Sequence, residues 1–167
     1  MFKSKTVFLT LTVFLLLTCG SMFAQGELGV VGKIFTNEEI DQLYGPVLES
    51  ISIDSQELLT IVDKAENYAM FTIKNNQIII TNEYRELISP YKIFYAGMDR
   101  QLGVPNRNVI EDSDPLNLYS KSMVKKVVEL GNQSITKVER RAKKVTITNG
   151  LCTLEMSTIC PPYCLRK

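Results

Sequence analysis

Apolar and polar positions along this chain change spacing wherever glycine, proline or asparagine interrupts, and each change marks an element. Gly29 to Phe35 is a short apolar run that fits a strand or a packed arm. In the next stretch Thr36 can cap a helix while Glu39 reaches back to it. Ile40, Leu43 and Tyr44 fall on one face before Gly45 stops the turn. After Pro46, Val47 to Ile53 alternates with a period of two, a strand pattern. Asp54 and Glu57 repeat the capping logic ahead of an apolar stripe of Leu58, Leu59 and Val62.

Met70 to Ile73 and Gln77 to Thr81 are rich in β-formers, and Asn75-Asn76 between them tolerates the positive φ of a tight hairpin. Tyr91 to Gly97 is another apolar stretch. From Gly97 to Asn117 the chain is polar with little periodicity, which suggests a connector or functional loop. Ser120 to Asn132 reads as a helix, with Val124, Val127 and Val128 on one face and Lys125, Lys126 and Glu129 on the other. Gly131 is expected to close it. Three strands follow, Ser134 to Arg141, Lys143 to Thr148 and Leu151 to Ser157. Asn149-Gly150 is the strongest hairpin signal in the chain.

The order helix, strand, turn, strand thus occurs twice, Ser55 to Asn82 and Ser122 to Asn149, and both copies end in Ile-Thr-Asn. Two readings are open: a duplicated αββ unit, or shared punctuation in unrelated halves. The hairpin at Asn149-Gly150, taken as a two-residue turn, sets Ile147 opposite Cys152 and Val145 opposite Leu154. Opposed residues share a face, so Cys152, Leu154 and Met156 are expected in the core, and Thr153, Glu155 and Ser157 in water. Cys152 is on this reading a buried free thiol.

The front end changes the picture. Lys3 and Lys5 precede an apolar core of eleven residues, Val7 to Leu17, followed by small and neutral residues. That is the form of a secretory signal, and no stretch approaches the ~20 residues of a membrane-spanning helix. Cleavage after Ala24 leaves Gln25 first; lipid attachment at Cys19 is the alternative. Residues 25–167 then form a single exported domain. Its possible halves are 25–96 and 118–159, with a polar connector at 97–117 and a cysteine-bearing tail at 160–167.

In an oxidising compartment Cys160 and Cys164 are a candidate disulfide, closed by a turn through Pro162 and Tyr163. The spacing Cys160-Pro161-x-x-Cys164 is similar to that of copper-delivery proteins of the Sco type, over five residues. That family works with a distant histidine, and this chain contains none, so its function does not carry over. The missing histidine also excludes Ser-His-Asp and Cys-His catalysis and the common catalytic zinc sites. Neither metal ligands nor a cofactor motif is predicted, and a thiol-disulfide or metal-binding role through the C-terminal cysteines is a lesser alternative.

Charge is balanced overall but not along the chain. Residues 25–66 hold nine acidic and two basic side chains, and residues 121–144 hold eight basic and two acidic. Either the two stretches touch, or the basic one meets an anionic partner. Lys137, Arg140, Arg141, Lys143 and Lys144 are the candidate surface, for a protein, a polysaccharide or an anionic surface. Nucleic acid is not expected, since no aromatic interleaves the bases. Glu111, Asp112 and Asp114 are candidates for carboxylate-based hydrolysis. The expectation is an α+β fold, one or two helices on an antiparallel sheet of five to seven strands. Its expected role is binding or structural rather than enzymatic, in the periplasm or outside the cell.

Overall fold

A computed structural model describes residues 29–90, 110 and 113–160. The fold is α+β. Among the described residues, three helices pack against two antiparallel sheets. The elements are β1 (Lys33–Thr36), α1 (Asn37–Tyr44), β2 (Glu49–Asp54), α2 (Ser55–Val62), β3 (Tyr68–Lys74) and β4 (Gln77–Asn82). After them come β5 (Leu116–Ser120), α3 (Lys121–Gly131), β6 (Ile135–Arg140), β7 (Val145–Asn149), β8 (Cys152–Glu155) and β9 (Thr158–Cys160). The first sheet runs β1-β8-β7-β6-β2 and the second β4-β3-β5-β9. The expected single sheet is therefore two, with more strands and one more helix than anticipated.

Local signals place the elements. Thr36 and Glu39 form the capping box that starts α1. Asp54 accepts from the amides of Gln56 and Glu57 to start α2. Asn75 and Asn76 both take positive φ, 53° and 55°, between β3 and β4. That is the geometry a two-residue hairpin requires. The helix expected to end on Gly131 is instead closed by Asn132 in the left-handed region. Gly131 is needed for a different reason, because a Cβ there would fall on the backbone and side-chain oxygens of Asn149.

Two units interlock. Strand β2 leads into α2 and the β3–β4 hairpin, and β5 leads into α3 and the β6–β7 hairpin. Yet β2 pairs with β6, and β5 pairs with β3. Each unit thus lends its first strand to the other's sheet. The three-strand groups β7-β6-β2 and β4-β3-β5 correspond element for element. Strand β5, wholly buried, begins inside the stretch expected to be a polar connector. Its signal is five residues that do not alternate, because the sheet is covered on both faces.

The main core lies between the sheets, where α2 and α3 meet. Leu58, Ile61 and Val62 of α2, Val124, Val127 and Val128 of α3, and Phe71, Ile80, Val138, Ile147 and Leu154 of the sheets form one cluster. Phe71 and Tyr119 meet edge to face, centroids 6.0 Å apart, and Tyr119 donates its hydroxyl to the Val145 carbonyl. Burying a side chain of this size contributes about 1.5–3 kcal/mol, so the cluster holds both sheets to the helices. Burial pushes the Tyr119 phenol well above its ordinary pKa, with the Glu155 charge adding to the effect.

The last hairpin departs from the expected register. The two-residue turn is Gly150-Leu151, so Asn149 opposes Cys152 and Ile147 opposes Leu154. A slip of two residues leaves every side chain on its expected face, and Cys152 and Leu154 do pack against the core. The water-facing set is overturned: Thr153, Glu155 and Ser157 are buried. Helix α1 crosses this outer face, with Asn37 accepting from Thr153 and Tyr44 hydrogen-bonded to Glu155. Met156, expected in the core, is 54% exposed. It has φ 68° where the chain leaves β8 and crosses to the second sheet as β9.

Candidate functional site

The charge asymmetry resolves as contact between the two stretches. Asp41 pairs with Arg141 at 2.7 Å, Glu49 with Arg140 at 2.7 Å, and Asp63 with Lys125 and Lys121 at 2.7 and 3.3 Å. Arg140 sits directly opposite Glu49 in the β2–β6 ladder, where opposite charges stabilise. The two lysines hold the Asp63 carboxyl below its ordinary pKa.

These contacts take up part of the candidate basic surface, and Arg140 stays half-exposed while paired. Arg141 is only 3% exposed. Lys144 donates to the carbonyl and hydroxyl of Ser157, at 2.8 and 3.3 Å, and pairs with the buried Glu155 at 3.4 Å. Lys137 and Lys143 stay exposed. Sequence could not reveal this, because Arg141 and Asp41 are 100 residues apart.

The carboxylate candidates do not assemble into a described site. Asp114 is bound to Lys74 at 3.0 Å, while Glu111 and Asp112 lie outside the described residues. Cys152 is a free thiol, partly rather than fully buried. Cys160 is fully buried at the end of β9, and Cys164 lies outside the described residues, as do the N-terminal segment read above as a signal, Cys19 and Tyr91 to Gly97. Among the described residues no group of metal-ligating side chains occurs, and no helix is long and apolar enough to cross a membrane.

Two polar clusters were not anticipated. In the first, Ser157 Oγ lies 3.3 Å from Lys144 Nζ, the distance of a Ser-Lys dyad. Its other contacts argue for a structural role. The single proton of Ser157 Oγ has acceptors in Asn117 Oδ1 at 3.0 Å and Glu155 Oε1 at 3.1 Å, and Lys144 is a donor to Ser157 and an ion partner of Glu155. A general base would have to accept the serine proton, and here the lysine gives protons. The second cluster centres on Asn149. Its Nδ2 lies 2.9–3.3 Å from Thr136 Oγ1, the Gln133 carbonyl, Ser55 Oγ and the Ile135 carbonyl. Its Oδ1 accepts from the Gln133 amide at 2.9 Å. This knot ties the end of α3 and the start of α2 to the last hairpin.

What the knot positions is a groove. Helix α1 covers only part of the outer face of the first sheet, and the uncovered part is an open groove of about 620 Å³. Its floor carries Glu139, Arg141 and Thr148, and Asp41 of α1 stands at one side. Its rim holds three exposed apolar residues, Val47 at 39%, Ile135 at 47% and Leu151 at 79%. Thr148 donates to Glu139 at 2.8 Å and so keeps that carboxylate on the floor. A volume of this size is in the range of ligand sites, and clustered exposed apolar side chains mark contact surfaces. Sequence offered one hint: Leu151 and Ile135 are large apolar residues at a turn and at the start of a strand, where polar residues are usual. No family model, no curated protein and no solved structure matches the chain.

Proposed function

We propose that this chain is an exported, non-enzymatic binding domain that takes a protein partner in the groove beside α1. The observation carrying the proposal is the ring of exposed Val47, Ile135 and Leu151 around a polar, charge-paired floor. An apolar rim over hydrogen-bonding groups suits recognition, while no nucleophile and base stand free together among the described residues. Export rests on Lys3, Lys5 and the apolar run Val7 to Leu17. A disulfide-bonded Cys160 supports it, with Cys164 the partner we propose. The interlocked βαββ units support a duplicated origin for the two halves. The case for an anionic partner rests on fewer residues, Lys137 and Lys143, because Arg140, Arg141 and Lys144 are bound within the molecule.

The test is selection of a displayed random-peptide library on the mature protein, repeated on Ile135→Glu and Leu151→Glu. Enrichment that both substitutions abolish is the expected result. Absence of enrichment, or enrichment that ignores the rim, refutes the reading. Intact mass from the exporting host checks the rest: a chain starting at Gln25 with one alkylatable thiol is expected.

A further inference from the structure

One side chain under the groove narrows the ligand's chemistry, given the binding role just proposed. Arg141 is anchored by one corner of its guanidinium. Nη1 donates to Asp41 Oδ1 at 2.7 Å and to the Gly45 carbonyl. The opposite edge is Nε and Nη2. Nε is buried and has no hydrogen-bond acceptor. Nη2 lies 3.7 Å from Glu139 Oε2, beyond hydrogen-bond range. A guanidinium edge without a hydrogen-bond acceptor beside a groove is an uncommon arrangement, because buried donors are nearly always paired. That edge is also the one that presents parallel N–H groups to an incoming oxygen.

We propose that this edge receives a backbone carbonyl of an extended, uncharged peptide segment whose apolar side chains rest on Val47, Ile135 and Leu151. Charge decides between a carbonyl and a carboxylate. Lys137 and Arg141 already balance Asp41 and Glu139 around the groove, so an added carboxylate would be a net negative charge beside Glu139. A carbonyl satisfies the donors and adds none. Among the described residues no aromatic side chain lines the groove, so the usual platform for a sugar ring is not among them. An extended peptide supplies what the site offers partners for: alternate apolar side chains toward the rim and carbonyl oxygens toward the floor. Because Nε is closed off from solvent in the free protein, the carbonyl bonds Nη2, and Nε–H beside it on the same edge reports the contact.

The experiment is an NMR titration of the ¹⁵N-labelled mature chain, following the Arg141 Nε–H resonance assigned through its own side-chain carbons. The probes are acetyl-Leu-Ser-Leu-Ser-amide and the same peptide with a free C-terminal carboxylate. The capped peptide is expected to move the resonance saturably, with affinity unchanged within about twofold between about 50 and 500 mM salt. Leu151→Glu should weaken binding about tenfold or more while leaving the unliganded resonance in place. A free acid binding more than about tenfold tighter than the capped peptide, or affinity falling steeply with salt, overturns the carbonyl assignment. The binding-domain reading would survive that result. A capped peptide that leaves Nε–H unmoved overturns the inference as well, whereas the empty library selection described above would overturn the reading beneath it.

Discussion

Replacing Asn149 by alanine tests whether one side chain holds the groove's rim. The amide has two protons and one acceptor oxygen to give, and all three are used: two toward Thr136, Gln133, Ser55 and Ile135, one from the Gln133 amide. Alanine removes about three hydrogen bonds worth roughly 1 kcal/mol each, and it strands the Gln133 N–H at a further cost of about 1 kcal/mol or more. Ser55 and Thr136 keep each other at 2.8 Å, and Ser55 keeps the Gln133 carbonyl at 2.7 Å, which limits the damage. The net expectation is about 3 kcal/mol, or a fall of roughly 10 °C in melting temperature for a domain of this size.

Asn149→Asp is the sharper comparison. It preserves shape and the accepting oxygen but turns the donor into a second oxygen facing two carbonyls that cannot donate. It should therefore cost at least as much as alanine. Urea unfolding followed by circular dichroism measures both. An alanine cost below about 1 kcal/mol, or an aspartate as stable as the parent, would refute the claim that this knot secures the last hairpin.

Other outcomes follow from the same contacts. Gly131→Ala should gain about 1 kcal/mol of helix propensity yet destabilise overall by about 2 kcal/mol, since the new methyl collides with Asn149; thermal melting reads the sign. Lys144→Met removes the cation facing the buried Glu155 and should cost about 3 kcal/mol in urea unfolding. Hydrogen bonding to Glu155 raises the Tyr44 phenol to about 12. A folded pKa above the unfolded value of 10 gives stability that is complete below pH 10 and lost as pH rises toward 12. After screening of this half-exposed group, Tyr44→Phe should flatten that alkaline decline by about 1 kcal/mol. Asp63, held low by Lys125 and Lys121, acts at the other end. Its contribution is present above its ordinary carboxyl range and lost as pH falls through the depressed pKa, and Asp63→Asn should reduce the acid sensitivity of the melting temperature.

What could be read from the sequence alone was whatever its residues settle within a few positions of themselves. Thr36 with Glu39 and Asp54 with Gln56 and Glu57 cap helices by contacts two or three residues long, and Asn75-Asn76 turns a hairpin by its own φ angles. The face of Cys152 followed from a period of two, which survived an error of two residues in the register. The rest depended on elements distant in the chain. That the strands divide between two sheets, with β2 and β5 exchanged, is decided by which apolar faces meet around α2 and α3. Short β5 and β9 carry no period of their own to reveal them. Arg141 looked like surface because it stands in a run of basic residues; Asp41 pairs with it from across the fold. Thr153 and Glu155 looked solvated because their pattern is polar, and only the passage of α1 over them makes that face interior. The groove is what α1 leaves uncovered, so tertiary packing alone could place it.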